Sequence, residues 1–249
     1  MAVIIKSKRE LELMRRAGKA TAIVLEKLAK SVKPGIKTRE LDDIANEEAK
    51  IMGGKPTFKG YQGFPASLCV SINNEIVHGI PGERVIREGD IVSLDFGLEI
   101  EGFQGDTAIT VGAGKIDPGA IDLIDVTRNA LQAGIDVAHA GKRIGDISAA
   151  IQEYVESRGY AVIREYTGHG IGRNMHEDPQ IPNFGKIGTG LQLKKGMTLA
   201  IEPMVTTGTW LTRVGNDRWV VYTADGSMAA HFEHTIAIND GGAEILTAV

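Results

Sequence analysis

The sequence predicts an α+β fold in a single domain of residues 1–249, written as two related halves of roughly 1–112 and 113–249. Three observations predict it. Long helical stripes alternate with short apolar runs that read as strands. A helical pattern recurs after an offset of 106 residues. Acidic residues interrupt strand-like runs at matched places in the two halves.

The first helix is expected to open at Ser7, with Glu10 completing a capping box three residues on. Leu11, Met14, Leu25, Leu28 and Val32 form its stripe, and Lys33-Pro34-Gly35 stops it. A second helix is expected from Thr38, with Leu41, Ile44, Ala45 and Ala49 on one face and Gly53-Gly54 at its end. Short apolar runs follow. LCVSI and EIVHGI flank Asn73-Asn74, Pro81-Gly82 marks a turn, and IVSLDFGLEI reads as a long strand. Asp117-Pro118 starts a third helix with proline at the first helical position. Its stripe is Ile121, Ile124, Leu131, Ile135 and Ala138, and Gly141 is expected to end it. A fourth helix is expected from Asp146 to near Gly159, with Ile147, Ala150, Ile151 and Val155 facing one way.

The offset of 106 places Gly35 on Gly141, Leu41 on Ile147 and Gly53 on Gly159. EGDIVSLDF (88–96) aligns with KGMTLAIEP (195–203) at an offset of 107, which sets Asp95 against Glu202. FQGDTAIT (103–110) resembles AHFEHTIA (230–237) and sets Asp106 against Glu233. The second pair of acids is further apart in the chain, and the extra TWLTRVGNDRWVVYTADG reads as an inserted hairpin. An unpaired carboxylate inside IVSL-FGL or LAI-PMV would be costly to bury. Duplicated halves would bring these strands together about a pseudo-twofold axis.

Composition narrows the function classes. A hydrophobic share of 43% with 24% charged residues is that of a soluble globular protein, and no apolar run is long enough for a membrane span. The first twenty residues are charged and lack the apolar core of a signal peptide. One cysteine, Cys69, excludes an internal disulfide and a multi-cysteine zinc module. These features point to the cytoplasm. A net charge of −4 argues against a nucleic-acid binder held by phosphate contacts.

Four converging carboxylates would repel one another and raise their pKa values unless cations were present. Divalent ions remove that conflict, and two of them can share and activate one water. An oxygen-rich site with one imidazole suits Mn, Fe or Co, with Zn also compatible. GHGIGRNMHEDPQ (168–180) supplies His169 and His176 in what reads as a glycine-containing loop, and EIVHGIP supplies His78. Taken singly, such histidines are more often exposed or hydrogen-bonded residues than ligands. Strand alternation sets His231 on the face of Glu233 and turns His234 away.

SINNEIVHGIP, GDIVSLDFG, FQGDTA, GHGIGRNMHEDP, AIEPMV and FEHT, in that order, resemble the type I methionine aminopeptidases of the pita-bread metallopeptidases. The resemblance covers almost the whole chain. It implies a curved antiparallel sheet covered by helices, and a metal-dependent enzyme that removes the initiator methionine when the second residue is small. It implies two divalent ions (Co, Mn, Fe or Zn) held by Asp95, Asp106, His169, Glu202 and Glu233, with Asp106 and Glu233 bridging. A bridging water would attack the first carbonyl, Glu202 would relay its proton, His176 would stabilise the oxyanion and His78 would contact the scissile amide. The pocket for methionine is expected from Tyr61, Phe64, Cys69 and Trp219, with Met175 a further candidate. For the aromatic residues, plain core packing is the competing reading. Phe58, Phe64, Met175 and His231 depart from familiar bacterial members.

The same resemblance implies N-terminal peptides of nascent proteins as substrates and proximity to the ribosome, and a monomer is expected because nothing in the sequence resembles a dedicated dimer seam. Two other readings compete. An Xaa-Pro peptidase of this fold usually carries an extra N-terminal domain, whereas this chain starts with the fold's first helix. A non-catalytic binding module would typically have lost metal ligands, and all five are present. Small Ala2 follows Met1, so the mature chain is expected to begin at Ala2.

Overall fold

The computed structural model describes residues 3–249, so the expected start at Ala2 lies outside the described residues. In chain order the first elements are α1 (Lys8–Ser31), α2 (Thr38–Ile51), β1 (Lys55–Pro56), a 3-10 turn (Tyr61–Gly63), β2 (Cys69–Ile72), β3 (Glu75–Val77), β4 (Ile91–Ile100) and β5 (Phe103–Gly112). There follow α3 (Pro118–Asp136), α4 (Ile144–Glu156), β6 (Ala161–Val162), β7 (Thr167–Gly170), β8 (Glu177–Pro182), β9 (Thr198–Ile201) and β10 (Met204–Thr206). The chain ends with β11 (Thr212–Val214), β12 (Val221–Thr223), β13 (Ala229–His231), β14 (Glu233–Ile238) and β15 (Ala243–Ile245).

Ser7 caps α1 through its side chain, and Glu10 closes the capping box as expected. Asp117 caps α3 with Pro118 in its first turn. Two boundaries differ from the sequence reading. The third helix ends at Asp136, and Gly141 belongs to the turn beyond it, while the fourth opens at Ile144 because Asp146 caps from its third position. Ile121, placed in the stripe of α3, is instead 48% exposed.

The main sheet runs β1-β4-β5-β14-β9-β7-β8, with β2 also on β4 and β15 on β14, and its pairs are antiparallel. Two small sheets, β13-β10-β6 and β11-β12-β3, flank it. The strands β11 and β12 form the expected hairpin. Alternation divides β4: Leu94, Phe96 and Leu98 are fully buried in a core with Leu28 of α1 and Leu41 of α2, and Asp95 takes the other face. A second core packs α3 and α4, through Leu123, Ile147 and Ile151, on Leu199, Ile201 and Ile236. Burying each such side chain contributes roughly 1.5–3 kcal/mol.

The matched positions take matched conformations. Gly35 and Gly141 have φ of +93° and +94°, and Gly89 and Gly196 have +90° and +85°. Lys37 and Arg143 stand at the N-caps of α2 and α4, where their backbone N–H groups donate to Glu40 and Asp146 respectively. In the sheet order β4-β5-β14-β9, the central pair carries Asp106 and Glu233, and the outer pair carries Asp95 and leads into Glu202.

Candidate active site

One face of the sheet gathers the acids. Asp95 pairs in register with Ala108, Gly97 with Asp106, and Glu233 with Ala108, so Asp95, Asp106 and Glu233 share a face. His169 is paired with Ala200, two residues before Glu202, which puts both on that face. His169 therefore sits on β7 rather than in the loop expected from its glycine-rich surroundings. Threonines hold the backbone beneath. Thr235 Oγ1 accepts from the Asp106 N–H at 3.1 Å and donates to its carbonyl at 2.8 Å, while Thr107 donates to the Glu233 carbonyl at 2.7 Å. Asn183 donates to the carbonyl of Glu202 at 3.1 Å.

The side chains converge tightly. Ligand atoms of Asp106, His169 and Glu233 all lie within 4.8 Å of one another. His169 Nε2 is 3.4 Å from Glu202 Oε1 and 3.8 Å from Asp106 Oδ2. Its Nδ1 faces the Gly170 carbonyl at 2.9 Å, so that nitrogen carries the proton and Nε2 presents a lone pair to the acids. Burial holds the imidazole neutral by lowering its pKa to about 3. Burial raises Asp95 to about 7. Asp106, Glu202 and Glu233 are pushed well above the carboxylate range, first by burial and then by neighbouring carboxylate charge, that of Asp95 on Asp106 and those of Asp106 and Asp95 on the two glutamates.

A lone pair facing carboxylates is a repulsive arrangement that a cation resolves. Buried Asp95 Oδ1, Asp106 Oδ1 and Glu233 Oε1 have no hydrogen-bond partner among the described residues. Such orphaned oxygens need a proton or a cation. The donor set, four carboxylates and one neutral imidazole, fits divalent first-row metals.

These acids line a cavity of about 230 Å³. His176 lies at its mouth, ahead of β8, with its ring 4.2 Å from that of His169. Tyr61 Oη is 2.7 Å from His176 Nδ1 and the two rings stack. Burial lowers the His176 pKa, and a phenol donating to Nδ1 leaves the proton of the neutral ring on Nε2. His78 follows β3 with a left-handed backbone, φ +61°, a conformation that costs a non-glycine residue strain. Its ring meets Tyr166 and Trp219 edge-on at 5.8 and 6.5 Å, and burial lowers its pKa to about 4.

Phe64, Cys69 and Trp219 make an apolar wall, with Phe64 edge-on to Trp219 at 5.1 Å. Burial pushes the Cys69 thiol well above its usual pKa, so it stays protonated. The cavity thus brings together every candidate site residue named from the sequence: Tyr61, Phe64, Cys69, His78, Asp95, Asp106, His169, His176, Glu202, Trp219 and Glu233. Met175 is the exception among the further candidates. It is buried with Met14, Phe103 and Ile171, and its methyl group occupies the space where a side chain on Gly97 would begin.

The lining also includes Val77, Tyr166, Met204 and His231, which sequence reasoning did not assign to it. Met204 follows Glu202 by two residues, but it opens β10, a strand of a different sheet from β9, so alternation does not carry across Pro203. His231 was placed on the right face without a role. It is 1% exposed, and neither ring nitrogen has a partner among the described residues.

Comparison with known proteins follows the same residues. Residues 12–240 match Metallopeptidase family M24. The chain is 52% identical over 246 residues to a methionine aminopeptidase of Clostridium acetobutylicum, with 98% of each chain covered. Among solved structures it is similar to methionine aminopeptidase from Thermotoga maritima, with a TM-score of 0.98 and 49% identity over 100% of both chains. Prolidase from Pyrococcus furiosus shares the fold alone, at a TM-score of 0.81 and 22% identity, over 99% of this chain and 66% of that one.

Proposed function

The chain belongs to metallopeptidase family M24, has its α+β pita-bread fold, and from that premise we infer how its cavity works as a methionine aminopeptidase. It is a metalloexopeptidase that hydrolyses the bond after an N-terminal methionine. The observation that carries the reading is the convergence of four carboxylates, buried Asp106 and Glu233 with half-buried Asp95 and Glu202, and one neutral imidazole in a cavity that apolar side chains also line. No helix among the described residues is long and apolar enough to cross a membrane.

Family membership implies divalent metal use, and the orphaned oxygens fit it. The proposed holders of two ions, Co, Mn, Fe or Zn, are Asp95, Asp106, His169, Glu202 and Glu233. Ions bound there supply Lewis-acid activation of the substrate carbonyl and of the attacking water. Glu202, a carboxylate lining the cavity beside His169, is assigned to accept and pass on the water's proton. His176 can donate its Nε2 proton to the oxygen that gains charge as the carbonyl becomes tetrahedral. His78, held neutral on the Tyr166 and Trp219 side, is assigned to the leaving amide.

Tyr61, Phe64, Cys69 and Trp219 form the proposed pocket for the methionine side chain. A flexible thioether suits an aromatic wall of this kind. The substrates are the N-termini of nascent proteins with a small second residue. The proposed setting is the cytoplasm, near the ribosome, with the protein a monomer of one domain whose halves meet at the acids.

The test is metal reconstitution followed by hydrolysis of Met-Ala-Ser, with Ala-Pro-Ala as the contrast. The parent should cut only the methionine peptide. Asp106→Ala should lose both metal and activity, and His176→Ala should keep metal while turning over more slowly. Equal activity in all three proteins would overturn the site assignment.

A further inference from the structure

We propose that Lys6 and Glu177 are positioning residues for His176, forming a buried charge latch that fixes the loop delivering it. The proposal rests on the role assigned above to His176. Lys6, one of a run of charged residues near the N-terminus, is not solvated: its side chain is 3% exposed and that of Glu177 is 5% exposed. The ammonium meets Glu177 Oε2 at 2.5 Å. The Lys6 N–H donates to the Gly196 carbonyl at 2.8 Å, which anchors the lysine to the turn before β9.

Glu177 is the organising group of the loop. Its Oε1 accepts from the backbone N–H groups of Arg173 and Asn174 at 3.0 and 3.3 Å. Gly172 sits against the pair. A side chain there would start 2.5 Å from Lys6 Cε and 2.6 Å from Glu177 Oε1, so the latch needs a glycine at that position. Gly172 in turn accepts through its carbonyl from the Gln104 N–H at 2.8 Å, two residues from Asp106. The loop from 172 to 177 is therefore wrapped round one carboxylate and tied to the strand bearing a candidate metal ligand. His176 is bonded directly to the residue that carries that carboxylate.

A buried ion pair is weak support for stability, because desolvation offsets the attraction. Its effect here is geometric. Without the ammonium, Glu177 would turn toward water, and the two loop amides would lose the acceptor that holds them. The imidazole would then sit off the oxygen it must meet. Since that contact matters most as charge develops, its loss should show in kcat more than in KM.

The test uses the full-length, metal-loaded enzyme with Met-Ala-Ser. Lys6→Met, Lys6→Arg and Glu177→Gln are made in the parent and in His176→Ala. Lys6→Met and Glu177→Gln should lower kcat roughly 10- to 100-fold, the scale of loss from small misplacement of a reacting group, with KM and bound metal little changed. Lys6→Arg should restore most of the rate. In the His176→Ala background the same changes should cost no more than about twofold, the signature of residues acting as one unit. The imidazole nitrogen resonances of His176, assigned by their loss in His176→Ala, should move in both latch variants. Glu177→Gln keeps the side chain's shape but removes the charge that the ammonium meets, so it carries the test if Lys6→Met fails to fold. Unchanged kcat in Glu177→Gln, or an equal fold-loss with and without His176, would overturn the latch. A parent rate in His176→Ala would instead overturn the role of His176 on which the latch rests.

Discussion

Gly105 has no side chain because α1 crosses β5 there, and Gly105→Ala should disturb the candidate metal centre from the opposite face of the sheet. The added methyl carbon would stand 2.5 Å from Thr21 Oγ1 and 2.9 Å from both Cα and N of Gly18. Ordinary carbon contacts begin near roughly 3.5 Å, so the helix backbone must retreat by about 0.6 Å. Thr21 cannot simply rotate away without breaking its 2.7 Å bond to the Ala17 carbonyl. Nor is α1 free to shift, since a side chain on Gly18 would itself begin 2.5 Å from the Leu246 carbonyl oxygen. Overpacking of this kind costs about 1–3 kcal/mol. At about 2–4 °C per kcal/mol for a chain of this size, Tm should fall by about 2–12 °C. The strain passes to the next residue, Asp106, so Mn²⁺ affinity should drop roughly tenfold or more, as when supports of a metal ligand are removed. Differential scanning fluorimetry and isothermal titration calorimetry read the two quantities. Gly82→Ala, where the methyl carbon meets nothing within 4 Å, should change stability by no more than about 0.5 kcal/mol and serves as control. Parent values of both Tm and Mn²⁺ affinity in Gly105→Ala would refute the reasoning.

Chelation should destabilise the protein more at pH 7.5 than at pH 5.5. A carboxyl raised in the folded state favours folding while protonated, and that advantage is lost as pH rises through its folded pKa. For Asp95 the window runs from 3.8 to about 7, and the other three acids extend it upward. Ions remove the penalty, so the gap in Tm between Mn²⁺-loaded and chelated protein should widen with pH; a constant gap would contradict this. At His78, the left-handed backbone predicts that His78→Gly is more stable than His78→Ala by about 1 kcal/mol, although both lose the imidazole and slow turnover. Urea unfolding orders the two variants, and an alanine variant of equal or greater stability would argue against the strain.

The helices and the four acids were legible because their signals are local. Leu94, Phe96 and Leu98 alternate around Asp95, and Ile147 and Ile151 repeat at helical spacing, so face and partner class can be read along the chain. The apolar lining was only partly legible. Val77 and Met204 belong to β3 and β10, short strands whose partners β12 and β13 come much later in the chain, and periodicity does not report pairing over such distances. Met175 was placed in the pocket for want of knowing how its loop turns. The turn depends on Glu177 meeting Lys6, 171 residues away, and neither residue's neighbours reveal that pairing. Tyr61 was read as an apolar wall, whereas its hydroxyl also meets His176. His169 was misplaced for a different reason: glycines on either side suggested a loop, yet Gly168 and Gly170 leave β7 free to press against the carbonyls of Ala200 and Asp178.

The hairpin of β11 and β12 has no counterpart before Asp106, and its loop carries Trp219. Each aspartate of the first half is matched by a glutamate of the second, so the four acids by themselves offer nearly equivalent carboxylates to a peptide lying in either direction. Polarity comes from what only one half contains. Trp219 lines the cavity from the second half, and His169 adds a nitrogen from that half alone. A change of reading direction would accordingly be sought in the unpaired additions, the hairpin first, while the acids stayed as they are.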